Sequence, residues 1–189
     1  STPKVLPRLA GLPLIGHVLR TASSLSPEHV AVVVRHERDR VAAEVVERAP
    51  DAIIVDQDAV PGTGRAVEVA VDALPADFDG AVVVLSGDVP LLDAASLRLL
   101  VDAHVGAANG ATFVSAIAPD PTGLGRIVRD DAGAFVSVVE HKDATAEQLA
   151  ITEANAGIYA FDVARLRAVL PSLTTANAQG EKYITDAPA

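Results

Sequence analysis

The chain contains no cysteine, methionine or tryptophan, and only 3% of its 189 residues are aromatic. The lack of cysteine excludes disulfide scaffolds, thiolate zinc sites and cysteine nucleophiles. No apolar stretch reaches the roughly 18 residues of a membrane span, and the N-terminus lacks the pattern of a signal peptide. There is no run of Lys or Arg, and the formal charge of −10 repels nucleic-acid phosphates and anionic lipid. We therefore expect a cytoplasmic protein that binds a small molecule, with no nucleic-acid or membrane partner.

Half of the residues are hydrophobic, and a chain of this length can bury about 70% of its unfolded surface in one domain. Runs of β-branched residues and helical spacing predict a regular first half. The predicted strands cover residues 30–34, 53–55, 81–85 and 111–117, and the helices between them cover 37–49, 65–74 and 93–107. This alternation is typical of an α/β fold with a mainly parallel, Rossmann-like three-layer sheet.

The second half of the chain is less regular. It predicts strands over 125–128 and 135–140 around a turn at 130–133, a helix over 144–150, a strand over 158–161 and a helix over 163–170. None of the five histidines has the spacing of a metal-binding pair, and we expect His104 to lie on a helix surface.

Ser86-Gly87-Asp88 directly follows the clearest strand of the chain. Ligands of open α/β sheets collect at the carboxyl ends of the strands, and a carboxylate there suits Mg²⁺, which takes one or two protein oxygens and completes its shell with phosphates and water. The alternative is that Asp88 only caps a turn or starts a helix.

Gln57 and Gly62-Thr63-Gly64 follow another predicted strand and precede a helix. Exposed N–H groups at such a position can bind an anion or a carbonyl edge, although a Gly-x-Gly pair is most often only a turn. Further along the chain, Glu140 and Asn155 flank predicted strands. Either could bind sugar hydroxyls, and either could equally be a solvated loop residue.

These segments belong to an ordered set of motifs that covers nearly the whole chain. The set comprises residues 3–6, 9–14, Gln57 with 62–66, 86–91, 123–127, 139–140, 153–159 and 177–186. In this order it resembles the nucleoside-diphosphosugar pyrophosphorylases. The last three groups most closely resemble the N-terminal uridylyltransferase half of the bifunctional bacterial enzymes that make UDP-N-acetylglucosamine.

The resemblance implies a GT-A-like nucleotidyltransferase sheet with a sugar-binding second half. It implies transfer of UMP from UTP to N-acetylglucosamine-1-phosphate, with Mg²⁺ as the cofactor, to give pyrophosphate and UDP-N-acetylglucosamine, a cell-wall precursor. Lys4 and Asp88 would serve catalysis, Lys4 on the phosphates and Asp88 on the metal. The substrate-binding residues would be Gln57, Gly62 and Thr63 for uracil, Ser86 and Gly87 for the ribose and metal region, and Gly125, Glu140 and Asn155 for the sugar.

The chain also departs from the pattern of this family. The glycine-rich phosphate loop and a second metal ligand would lie outside residues 1–189, Arg35 stands where glycine is usual, and the hexapeptide repeats of the acetyltransferase half are missing. We therefore expect one uridylyltransferase domain truncated at both ends, from a full-length protein that forms homotrimers. The alternatives are a related sugar-1-phosphate nucleotidyltransferase and a non-catalytic binding module with the same fold.

Overall fold

The computed structural model describes residues 3–188, which form nine strands, six α-helices and two short 3₁₀ helices. In chain order these are β1 (Arg8–Leu9), β2 (Leu12–Pro13), α1 (Leu14–Ser23), β3 (Ala31–Val34), α2 (Arg38–Arg48), β4 (Ile53–Asp56), α3 (Thr63–Asp72), β5 (Ala81–Leu85), α4 (Ala94–Gly106), β6 (Ala111–Ile117), β7 (Arg126–Arg129), β8 (Phe135–Val139), α5 (Ala146–Leu149), β9 (Glu153–Asp162) and α6 (Val163–Val169). The 3₁₀ helices cover Leu170–Ser172 and Ile184–Asp186. No helix among these residues is long and apolar enough to cross a membrane. The predicted α/β class is confirmed.

The strands of the described residues form three sheets. β1 pairs with β2, β3 pairs with β4, and a five-stranded sheet has the order β5-β9-β7-β8 with β6 also paired to β9. Only the β3–β4 pair is parallel within residues 3–188, so the prediction of a mainly parallel sheet is wrong for the strand pairs. The reason is β9, which is much longer than the predicted strand over 158–161. It lies between β5 and β6 and runs antiparallel to both.

Three apolar clusters hold the helices against the strands. Val67 and Val71 of α3 pack with β9, α6 and the following 3₁₀ helix. A second cluster joins α1 and α2 to β3, and a third joins α4 to β5 and β9. Helix α1 was not predicted, because its N-cap residue is Pro13, which offers no side-chain hydrogen bond, although Ile15, Val18 and Leu19 have helical spacing and are buried.

Histidine 104 lies on the buried face of α4 and not on its surface as predicted. Its side chain is only 4% exposed, and its Nδ1 lies 3.0 Å from the hydroxyl of Thr112 on β6. Burial lowers the pKa of His104, so the imidazole serves as a neutral, hydrogen-bonded part of the core.

Strand β9 has a bulge next to Asn155, one of the predicted site residues. The register with β6 shifts between Phe113, which faces Tyr159, and Ser115, which faces Asn155. Gly157 takes a positive φ of 72° here, and its N–H donates to Oδ1 of Asn155 over 3.2 Å. Bulges of this kind bend a strand and redirect its side chains.

Candidate functional site

Gln57 closes the loop between β4 and α3 with its side-chain amide. The amide nitrogen donates to the carbonyls of Val60 (3.0 Å) and Gly62 (3.1 Å). Both amide hydrogens therefore have acceptors within the loop, and the amide oxygen is left as the group of Gln57 that can accept a hydrogen bond from a ligand.

The loop is attached to a segment much later in the chain, Lys182–Thr185. The N–H of Lys182 donates to the carbonyl of Pro61 over 3.0 Å, and its carbonyl accepts from the N–H of Gly64 over 2.8 Å. Gly62 has a φ of 110°, and a Cβ there would lie 2.2 Å from the carbonyl oxygen of Lys182. Glycine is thus required at position 62 both by the backbone conformation and by the close approach.

Ile184, two residues after Lys182, contacts the start of α3. The N–H of Ile184 donates to Oγ1 of Thr63 over 3.3 Å. The Thr63 hydroxyl therefore has a structural partner. What Thr63 offers to a ligand is its exposed position beside Gly62 at the helix N-terminus.

Thr185 extends the same segment to the second group of predicted residues. It is 3% exposed, and its hydroxyl donates to Oε1 of Glu140 over 3.0 Å. Gly125 lies alongside, because a Cβ at that position would be 3.6 Å from each carboxylate oxygen of Glu140. The carbonyl of Gly125 accepts the N–H of Asn155 over 2.9 Å. The structure thus brings together Gly125, Glu140 and Asn155.

The carboxyl group of Glu140 lies in an unfavourable electrostatic environment. Burial raises its pKa, and the carboxylates of Asp186, Asp143 and Glu181 raise it further, against the lowering effect of the Thr185 hydrogen bond. Burial also raises the pKa of Asp186, with a contribution from Asp143. An ionised Glu140 is consequently a strong acceptor for a ligand N–H or O–H group.

Asn155 is 9% exposed and is held by its own strand. Its Nδ2 donates to the hydroxyl of Tyr159 over 2.5 Å, and burial raises the pKa of Tyr159 to about 12. Its Oδ1 binds Gly157, as described above. A structural role for Asn155 is therefore established, and its second amide hydrogen is the donor left for a ligand.

Arg126, which sequence reasoning did not single out, shapes the turn before β7. It is 2% exposed, and its Nη1 donates to the carbonyls of Pro121 (2.7 Å) and Leu124. Its Nε has no hydrogen-bond partner among the described residues. Because Gly125 lies between Leu124 and Arg126, this buried guanidinium fixes the backbone of the turn beside Glu140.

Ser86-Gly87-Asp88 lies at the end of β5, as predicted. The hydroxyl of Ser86 donates to Oδ1 of Asp88 over 2.6 Å, and both residues are exposed. Residues 3–188 contain no group of three or more His, Asp or Glu side chains that could hold a metal ion. The donor set therefore fits Mg²⁺ only in the mode in which a single carboxylate is joined by substrate phosphates and water.

Val5, the residue after Lys4, packs against Gly87. A Cβ on Gly87 would lie 3.0 Å from Cγ1 of Val5 and 3.2 Å from Cδ1 of Ile15, so glycine at 87 allows Val5 to pack there. Lys4 is exposed and makes no ion pair within residues 3–188. Within residues 3–188, no side-chain hydrogen bond or ion pair joins Lys4 or Asp88 to the Gln57 loop or to Glu140.

The segment Lys182–Thr185 is the part of the site whose role was not predicted. The motif at 177–186 is part of the family resemblance, but the sequence predicts no role for any of its positions. Only the fold reveals that Ile184 contacts Thr63 and Thr185 contacts Glu140.

Curated relatives match the chain over nearly its whole length. The Bifunctional protein GlmU of Clavibacter sepedonicus is 62% identical over 185 residues, which are 98% of this chain and 38% of the relative. The proteins of the same name from Leifsonia xyli subsp. xyli and Thermobifida fusca are 58% and 50% identical over 98% and 99% of this chain. The chain spans 38–39% of the length of these three relatives.

Solved structures with the same fold are more distant in sequence. HddC from Yersinia pseudotuberculosis, complexed with GMP-PN, matches 98% of this chain and 75% of its own with a TM-score of 0.66 and 14% identity. The 4-diphosphocytidyl-2C-methyl-D-erythritolsynthase of Anaerococcus prevotii matches 87% of this chain and 66% of its own with a TM-score of 0.62 and 15% identity. These similarities confirm the predicted nucleotidyltransferase fold.

The family profile of the MobA-like NTP transferase domain matches residues 1–126. This range holds the Gln57 loop, the start of α3 and Ser86-Gly87-Asp88. The chain belongs to the family of MobA-like NTP transferase domains.

Proposed function

We propose that this chain transfers UMP from UTP to N-acetylglucosamine-1-phosphate, giving UDP-N-acetylglucosamine and pyrophosphate. The observation that carries the proposal is the segment Lys182–Thr185, which contacts the Gln57 loop at one end and Glu140 at the other. A nucleotide-sugar has its base and its sugar at opposite ends. Two polar clusters fixed to one rigid segment suit a ligand of that shape.

The loop after β4 would bind the uracil ring. Uracil presents the N3–H donor between two carbonyl oxygens, and the free amide oxygen of Gln57 is an acceptor for that donor. Because the two hydrogens of the Gln57 amide are held by Val60 and Gly62, the amide cannot turn around without losing both bonds. A base with an acceptor at N3 would then leave polar groups unpaired, which sites of this kind reject strongly.

The end of β5 would take the phosphates. Lys4 would place its charge on the phosphate oxygens, and Ser86 and Gly87 would line the ribose. Asp88 would hold Mg²⁺, which neutralises charge on the phosphates when it is bound. Asp88 has Ser86 on one carboxylate oxygen, so its other oxygen is the free ligand atom.

The second half of the site would select the sugar. Thr185 holds one oxygen of Glu140, and the other oxygen can accept from the N–H of an N-acetyl group or from a hydroxyl. Asn155 offers its second amide hydrogen. Gly125 leaves the space beside Glu140 open, since a side chain there would contact Val138 at 3.0 Å and approach both carboxylate oxygens.

The reaction is an in-line displacement at the α-phosphorus of UTP. A phosphate oxygen of the sugar-1-phosphate forms the new O–P bond while the bond to pyrophosphate breaks. This chemistry needs orientation and charge neutralisation more than a strong base. The residues described above supply both.

Binding and turnover test the proposal together. We expect residues 1–189 to bind UDP-N-acetylglucosamine about tenfold more tightly than UDP-glucose in calorimetric titrations, and more tightly than CDP- or GDP-sugars. We expect the intact gene product to release pyrophosphate from UTP and N-acetylglucosamine-1-phosphate with Mg²⁺. Equal or stronger use of another base or sugar would assign a related nucleotidyltransferase, and binding without turnover by the intact product would assign a binding module.

The proposal also includes the cellular location and the oligomeric state of the protein. We expect it to work in the bacterial cytoplasm, where it would supply cell-wall synthesis, and to form homotrimers as the intact gene product. Light scattering on the intact product measures the second point directly.

A further inference from the structure

Asp143 occupies a special place beside the sugar-binding half of the site. It lies three residues after Glu140, and its N–H donates to the carbonyl of Glu140 over 2.9 Å. Its carboxylate accepts hydrogen bonds from two residues that precede Thr185 in the chain. Oδ1 accepts the N–H of Ala178 over 2.7 Å, and Oδ2 accepts the hydroxyl of Tyr183 over 3.1 Å. One side chain thus holds two positions of the segment that leads to Thr185.

The direction of these hydrogen bonds is fixed by their neighbours. Nε2 of Gln179 can only donate, and it donates to the hydroxyl of Tyr183 over 2.8 Å. The Tyr183 hydroxyl therefore uses its own hydrogen toward Asp143. Tyr183 is 7% exposed, so the carboxylate acts on a ring that is already packed into the protein.

These contacts form a closed chain that begins and ends at Glu140. From Glu140 the backbone leads to Asp143, whose carboxylate binds Tyr183. Two residues beyond Tyr183 lies Thr185, whose hydroxyl returns to the carboxylate of Glu140. We propose that Asp143 is a positioning residue for sugar recognition, because it holds Tyr183 so that Thr185 keeps one oxygen of Glu140 and leaves the other directed to the ligand.

Asp143 acts on the sugar end of the site and not on the uracil end. The contacts of the late segment with the Gln57 loop are backbone hydrogen bonds of Lys182 to Pro61 and Gly64, and none of them involves Asp143. Around Glu140, by contrast, the carboxylates of Asp143, Asp186 and Glu181 all disfavour a negative charge on Glu140. The Thr185 hydrogen bond counters that repulsion, and we expect the Glu140 side chain to turn toward water when this bond is lost.

This inference rests on the proposed function, and the test separates the two. Calorimetry measures the affinities of residues 1–189 for UDP-N-acetylglucosamine and for UDP, whose ratio reports the contribution of the sugar. We expect Asp143→Ala to lower this ratio about tenfold with the UDP affinity unchanged. We expect Asp143→Asn, which keeps an acceptor for Ala178, to lower it by less.

Two further variants protect the test against general unfolding. Tyr183→Phe keeps the buried ring and removes the hydroxyl, which donates to Asp143 and accepts from Gln179, and we expect it to lower the ratio in the same direction. Asp102→Asn replaces an exposed aspartate on α4 and should leave both affinities unchanged. Asp143 would be merely structural if its loss weakened UDP and UDP-N-acetylglucosamine equally, or changed neither. If the unsubstituted chain binds UDP-N-acetylglucosamine no more tightly than UDP, the proposed sugar specificity fails, and the positioning role fails with it.

Discussion

At the scale of single residues, Glu140 sets binding against stability. Its pKa is raised by burial and by neighbouring carboxylates. An acid whose pKa is higher in the folded than in the unfolded state binds its proton more tightly when folded. Its contribution to stability is therefore present below the unfolded pKa and is lost as the pH rises through the folded pKa. Above the folded pKa, the negative charge on Glu140 destabilises the fold.

Removing this charge gives a prediction with two opposite signs. We expect Glu140→Gln to raise the melting temperature at pH 7 by about 1–3 °C, because Gln removes the charge and still accepts the Thr185 hydrogen bond. The gain should disappear near pH 4. The same variant should weaken UDP-N-acetylglucosamine binding about tenfold and spare UDP. The control is Glu147→Gln, an exposed carboxylate on α5, for which neither quantity should change. A fall in melting temperature at pH 7 would contradict the electrostatic argument.

Asp88 provides the second test at this scale. Because it is the exposed carboxylate at the end of β5, we expect Mg²⁺ to strengthen UDP-N-acetylglucosamine binding by the unsubstituted chain and not by Asp88→Asn. Calorimetric titrations with Mg²⁺ and with EDTA measure the difference. Asp102→Asn should behave like the unsubstituted chain. An Asp88→Asn variant that keeps the full Mg²⁺ effect would place the metal elsewhere.

At the scale of elements, the start of α3 depends on one glycine. We expect Gly62→Ala to destabilise the fold by about 2–4 kcal/mol. A side chain at position 62 would collide with the backbone of Lys182, and it would have to adopt the positive φ of Gly62. Binding of UDP should weaken together with stability. Gly106→Ala is the matched control, since a Cβ at the end of α4 would meet no atom within 4 Å. Urea unfolding of both variants measures the contrast, and equal effects would show that the contact between Gly62 and Lys182 carries little energy.

The elements also show what the sequence could predict. The strands β5 and β6 have their predicted bounds, because β-branched and aromatic residues favour strands. The first half of β9 was missed because polar Glu153 and Asn155 and the glycine at 157 interrupt the apolar pattern. The sequence contained these residues as a motif, but their place within a bulged strand depends on pairing with β6.

In the candidate site, too, local motifs were predictable and contacts between distant residues were not. Gly125, Glu140 and Asn155 were predicted as one group by their motifs, and the fold brings them together. The roles of Thr185 and Asp143 were not predicted, because their partners lie 45 and 40 residues away in the chain for the contacts with Glu140 and Tyr183. No local pattern marks such a pair. His104 was misplaced for a similar reason, since its partner Thr112 belongs to the next strand.

At the scale of the whole molecule, the Gln57 loop and the cluster of Gly125, Glu140 and Asn155 are attached to different sheets. Gln57 follows β4 of the two-stranded pair, whereas Glu140 follows β8 and Asn155 lies in β9 of the five-stranded sheet. We expect UDP to slow hydrogen exchange at the amides of Gln57 and Gly64, which are bonded to Val34 and Lys182. UDP-N-acetylglucosamine should also slow exchange at Asn155 and Asp143. If UDP alone protected the last two amides equally, the division of the site would be wrong.

The contact between Ile184 and Thr63 joins residues 121 positions apart, and that between Lys182 and Glu68 joins residues 114 positions apart. A ribosome adds about 5–20 residues per second, so Ile184 is made roughly 6–24 s after Thr63. During that interval the nascent chain contains the Gln57 loop but lacks the Lys182 backbone that contacts it. It also lacks the Thr185 hydroxyl that binds Glu140. We therefore expect the Gln57 loop and the surroundings of Glu140 to take their final form only after residues 182–185 have been made, so a ligand that contacts both cannot bind before then.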